Sequence, residues 1–153
     1  MTIPYPDDAE GDEYLRLVGR LVYAVGYLEW GVLGDLARHA TVVPSALSVA
    51  ELAGQTTGTI AERIRQQVSA VTDPAVAAWL RAGSEHLDRA AKIRNPVLHA
   101  RPTTVGDAQR LHRWKAADRR GGAESLTITV QVLRDGIAEI ERRGRDLGQL
   151  RPA

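Results

Sequence analysis

Cysteine and phenylalanine are both absent from the 153 residues, and there is a single methionine. Without a thiol there can be no disulfide, no thiolate nucleophile and no cysteine-built zinc site. Without phenylalanine the core must come from Leu, Val, Ile and Ala, with three Trp and four Tyr as its only large rings. No apolar run approaches the roughly 18 residues that a membrane-spanning helix needs. The chain does not open on a basic stretch followed by an apolar one, so a cytoplasmic protein that does not engage a membrane is expected. No His pair stands at metal-ligand spacing from a carboxylate, and no glycine-rich loop follows a strand, so neither a metal nor a cofactor is expected.

What is present suits one globular domain, with 44% apolar and 25% charged residues. Net charge is +1, but it is unevenly spread. Residues 1–40 hold three Arg against seven acids, whereas residues 81–120 hold ten Lys and Arg against four acids. A local positive field of this kind attracts phosphate, although a solvated surface would look the same.

Residues 1–11, with two prolines and three acids, read as a loose lead-in, and residues 12–150 as the folded domain. Leu15, Val18, Leu21, Val22, Val25, Leu28, Val32 and Leu36 recur at helical spacing, predicting a long first helix to about Arg38. Gly19, Gly26, Gly31 and Gly34 interrupt it, which is tolerable where a neighbouring helix comes close. Ser48 and Glu51 have capping-box spacing for a short helix ending at Gly54, and a second should run from about Thr59 to Val71. Asp73 and Pro74 begin another, on which Trp79 and His86 share a face that suits core or interface. His39 falls at the end of the first helix, where its cation suits the dipole. Residues 109–115 and 124–130 alternate around the turn-rich "AADRRGGA", predicting a β-hairpin. Thr129 then starts a last helix carrying Val132, Leu133, Ile137, Ile140 and Leu147. The expected fold is all-α: a four-helix up-down bundle with a short β-hairpin inserted before the last helix.

The stretch "KIRNPVLHARP" places Arg94, Asn95, Pro96 and His99 near the end of the fourth helical segment. An arginine, a polar residue and a histidine after four intervening positions resemble the signature of the HEPN superfamily. "YAVGYLEWGVLGDL" and "ELAGQTTGTIAERI" are likewise similar to the first helix and following segment of HEPN-like bacterial proteins. The resemblance covers roughly residues 12–150. It implies a helical bundle, a homodimer, and a metal-independent endoribonuclease of a defence or toxin–antitoxin type, partnered by a nucleotidyltransferase or antitoxin. Arg94, Asn95 and His99 would be its catalytic residues.

The chemistry is compatible with that role. A histidine titrates near pH 6.5 and can take a ribose hydroxyl proton, and a guanidinium offers a planar donor fork to phosphate. Pro96 removes a backbone donor, so the helix is expected to kink or restart there. On an unbroken helix, side chains five residues apart diverge by about 140°. The competing account is structural: Arg94 would pair with Glu29 on the first helix, His99 would cap or pack at a dimer seam, and the protein would be a noncatalytic dimerisation or binding module. Arg101, Arg110, Arg113, Trp114 and Lys115, with His112, are candidates to grip single-stranded nucleic acid. A third reading takes "SVAELAGQTTGTIAERIRQ" as a DNA-binding helix-turn-helix. Only Arg63 and Arg65 would be available there to read DNA.

Overall fold

The structure, a computed structural model, describes residues 9–115 and 124–152. The described chain is mostly helical, with five α-helices: α1 (Ala9–Arg38), α2 (Val49–Leu52), α3 (Thr57–Gln67), α4 (Pro74–Leu98) and α5 (Val130–Gln149). Three strands, β1 (Arg101–Val105), β2 (Ala108–Lys115) and β3 (Glu124–Ile128), form one antiparallel sheet in the order β1-β2-β3. No helix among the described residues is long and apolar enough to cross a membrane.

The core lies where the apolar faces of α1, α3, α4 and α5 meet. From α1, Leu21, Val25, Leu28, Val32 and Leu36 are buried, joined by Tyr14, Leu17 and Leu33. Facing them are Ile60 and Ile64 of α3, Trp79, Leu80 and Leu87 of α4, and Leu133, Ile137 and Ile140 of α5. Leu15, Val22 and Val132 were expected on these faces but are exposed. Helix starts follow the side chains that cap them. The Thr56 hydroxyl accepts from the Thr59 amide, the Asp73 carboxylate from the Ala75 and Val76 amides, and the Thr129 hydroxyl from the Val132 amide. Ser48 occupies the N-cap of α2 but makes no side-chain cap bond, and the helix is a single turn.

Several expectations are corrected. The first helix begins at Ala9, inside the expected lead-in; the remainder of that lead-in lies outside the described residues, as do residues 116–123 of the turn-rich loop. Gly19, Gly26, Gly31 and Gly34 do not mark close helix contacts, since a β-carbon at each would meet nothing within 4 Å. The close contact is at Gly136 on α5, where a β-carbon would stand 2.8 Å from Ile93 Cγ2. Helix α4 neither breaks nor restarts at Pro96. Its ladder continues to the His99 amide, which donates to the Asn95 carbonyl at 3.0 Å. Pro96 sits in the last turn, so it removes one hydrogen bond and little helix remains beyond it to be disturbed.

The expected hairpin is a three-stranded sheet. β1 pairs with β2 from Arg101↔His112 to Val105↔Ala108, closing a two-residue loop in which Gly106 has φ of 62°. Glycine reaches positive φ without steric penalty, which is what a tight hairpin of this kind requires. β1 is an exposed edge strand with a proline at its second position. No face of it is buried enough to impose an apolar alternation on the sequence. Tyr14 bonds the sheet to α1 at two strands: its hydroxyl donates to the Ile128 carbonyl at 2.8 Å and accepts from the Leu111 amide at 2.9 Å.

Candidate functional site

The last turn of α4 presents the motif in two directions. Arg94 turns toward α3 and α1. One of its terminal nitrogens donates to the Thr57 hydroxyl at 2.9 Å, and that hydroxyl donates to Glu29 Oε2 at 2.6 Å. The other donates to Asn95 Oδ1 at 3.1 Å. The expected pairing of Arg94 with Glu29 therefore runs through Thr57, a hydroxyl that accepts from the cation and donates to the anion. Thr57 is 1% exposed, so this relay is closed to solvent at its centre. The Arg94 Nε is also buried, without a partner among the described residues. Thr57 was missed in the sequence because nothing in "TTGT" distinguishes a buried relay from a second capping threonine.

His99 follows the helix as its C-cap residue and is exposed. Its imidazole forms no hydrogen bond with the described residues. It lies on a recess of about 500 Å³ lined by His99, Arg101, Pro102, Thr103, His112 and Trp114. Arg94 and Asn95 are not among those residues, so within one chain Arg94 and His99 do not open onto the same space. An uninterrupted helical turn gives this result, because five residues rotate a side chain by about 140° from its starting direction.

The sheet sorts the basic candidates. Arg101 stands opposite His112 in the register, and Trp114 lies two residues further along β2, on the same strand face. The His112 ring is held at both nitrogens, Nδ1 by the Thr127 hydroxyl and Nε2 by the Ser125 hydroxyl, each at 3.0 Å. Hydroxyls both donate and accept, so this seat accommodates the neutral or the protonated ring. Trp114 is 67% exposed. Arg113 and Lys115 fall on the opposite strand parity, shared with Leu111, which packs on the core.

Arg110 has the parity of His112 and Trp114 but is committed elsewhere. Its guanidinium carbon lies 4.9 Å from the Tyr14 ring centroid, and its end group pairs with Glu10 and donates to the Gln109 carbonyl. Its role is to cover Tyr14, and it is not free to grip a strand. Burial pushes the Tyr14 hydroxyl above its ordinary range, against the lowering effect of the Leu111 amide and the Arg110 charge.

Other titratable groups lie away from this site. His86 is half-buried on α4, and burial followed by the Arg143 charge holds it below the ordinary histidine value. Glu139 accepts two bonds from Arg89 and one from Arg143, which bring it down to about 2. Asp35 is buried at the end of α1 between Arg38 and Arg151, at 2.6 and 2.8 Å. The His39 ring centroid lies 6.5 Å from that of buried Trp79. On α3, Arg63 lies 3.8 Å from Glu51, and Arg65 is paired with Glu62. Among the described residues no group of three or more His, Asp or Glu is placed to hold a metal ion.

No family model, no curated protein and no solved structure matches the chain.

Proposed function

We propose that the chain is a HEPN-like domain that acts on single-stranded RNA as a metal-independent endoribonuclease, with His99 as its base. The helices α1, α3, α4 and α5 would be the four members of an up-down bundle, and the sheet its insertion before the closing helix. The observation that carries the reading is the His99 imidazole, exposed and unpartnered among the described residues at the end of the motif helix. A ring nitrogen of His99 takes the ribose 2′-hydroxyl proton. The 2′-oxygen bonds to phosphorus, the bond from phosphorus to the 5′-oxygen breaks, and that oxygen takes a proton from solvent. The products are a cyclic 2′,3′-phosphate end and a free 5′-hydroxyl end. Arg94 and Asn95 hold the last turn of α4 against α3 and α1 through Thr57 and Glu29.

Purified protein is expected to cut single-stranded RNA in the presence of EDTA. His99→Ala should abolish cutting with an unchanged melting temperature, whereas Arg94→Ala should lower both. Cutting that survives His99→Ala would refute this assignment.

The enclosure of Arg94 favours a second reading, a noncatalytic HEPN-like module that dimerises or binds a partner. Absence of cutting, with dimerisation or partner binding disturbed by the same substitutions, would decide for it. In both readings we place the protein in the cytoplasm, a setting that suits a chain without cysteine. A second copy of the chain, and a nucleotidyltransferase or antitoxin in a defence setting, are its proposed partners. The α3 arginines are engaged with acids and α2 is one turn long, so nothing favours a DNA-reading helix-turn-helix.

A further inference from the structure

We infer that the recess beside His99 is a subsite for one unpaired nucleotide of an RNA strand, its base against the Trp114 indole and its phosphate on Arg101. The inference rests on the RNA reading above for the identity of the strand, but its geometry stands on the sheet. Trp114 is the most exposed of the three tryptophans. An indole on an open strand face is a platform on which any base can stack. Arg101 reaches the same recess from the neighbouring strand, and it has no ion-pair partner among the described residues. His112 lies between them in the register, its ring fixed in orientation by Thr127 and Ser125. Among the described residues no carboxylate lines the recess, so none of them opposes a phosphate with fixed negative charge. His99 lines the same recess, placing the base of the proposed reaction next to the nucleotide rather than across a second chain.

The pairing of a ring and a cation selects the ligand class. An acidic peptide would use Arg101 and leave the indole idle. A duplex would offer phosphate but keep its base faces stacked away from Trp114. An unpaired nucleotide uses both.

The test reads binding apart from cutting. A short fluorescently labelled 2′-O-methyl RNA strand, which lacks the nucleophilic hydroxyl, is titrated with the full chain and followed by anisotropy. Trp114→Ala should weaken binding roughly tenfold, and Trp114→Phe should keep most of it. Arg101→Ala should weaken it and reduce the slope of log affinity against log salt by about one. The pre-annealed duplex should bind at least about tenfold more weakly than the single strand. Circular dichroism confirms that each variant is folded. Wild-type affinity in both alanine variants, equal affinity for duplex and single strand, displacement by an acidic peptide as effective as by RNA, or tighter binding of the same sequence as DNA would each overturn the inference. Binding through Trp114 and Arg101 by a protein that leaves cleavable RNA intact would uphold the subsite and refute the ribonuclease. Cutting that needs His99 but ignores Trp114 and Arg101 would do the reverse.

Discussion

At the scale of the residue, the clearest electrostatic feature is Glu139, gripped by Arg89 from α4 and by Arg143 one turn along α5. Two charge-assisted bonds from one guanidinium and a third from another favour the ionised carboxylate, whose pKa falls to about 2. In an unfolded chain the same group would titrate near 4.3, so its contribution to stability is fully present above about that pH. As the pH falls, the unfolded state takes up the proton first, and the contribution disappears between about 4 and about 2. Glu139→Gln is therefore expected to be less stable than the native chain at neutral pH, measured by urea unfolding. The gap between them should shrink across that acid window, and a gap constant from pH 7 to 2 would contradict the assignment. His86 shifts stability in the same sense at higher pH. Its folded value lies below the ordinary one, so protonation of the unfolded chain draws stability away as pH falls below about 6.5.

At the scale of the element, glycines separate into two kinds that the sequence does not distinguish. Gly136 lets α5 approach α4 and α1, where a β-carbon would meet Ile93 Cγ2 at 2.8 Å and Leu21 Cδ1 at 3.5 Å. The Ile93 atom belongs to a β-branched side chain and has little freedom to move aside. Gly136→Ala is expected to destabilise by about 1–3 kcal/mol through overpacking. Gly26 and Gly34 face open space, and alanine there should stabilise α1 by up to about 1 kcal/mol. Thermal unfolding of the three variants tests the contrast. A stabilised Gly136→Ala would show that α5 has room to move outward. The same scale explains Pro96: placed in the final turn of α4, it removes one hydrogen bond where the helix is ending in any case.

At the scale of the whole molecule, the surface is not uniformly polar. Tyr23 and Tyr27 on α1 are each 73% exposed and Trp30 is 64% exposed, with the two tyrosine rings stacked at 6.4 Å. Beside them a groove of about 510 Å³ runs between α1 and α5. Large rings left in water on one helix are the kind of surface a homodimer covers, which is the support for a second copy in the proposed function. Light scattering is expected to give a mass of two chains for the native protein and one for Tyr27→Lys combined with Trp30→Lys. A native protein already at single-chain mass at tens of micromolar would remove this support.

The helices were legible in the sequence because their signals are local. Period and capping chemistry at Asp73 and Thr129 act over one or two turns, and both caps stand where the residues place them. The R-N-x3-H spacing, the positive stretch around it and the lack of cysteine are also properties of the chain alone. What faces what was not legible. Thr57 joins Arg94 to Glu29 across sequence separations of 37 and 28 residues, and Tyr14 reaches Leu111 and Ile128 across nearly the whole domain. An edge strand with no buried face carries no periodic signature, so β1 became visible only through its partner. Only the tertiary structure set Arg94 into the helix contacts and left His99, Arg101, His112 and Trp114 around one recess. Packing three helices and closing a sheet determine the direction of each side chain, and residue spacing along the chain does not.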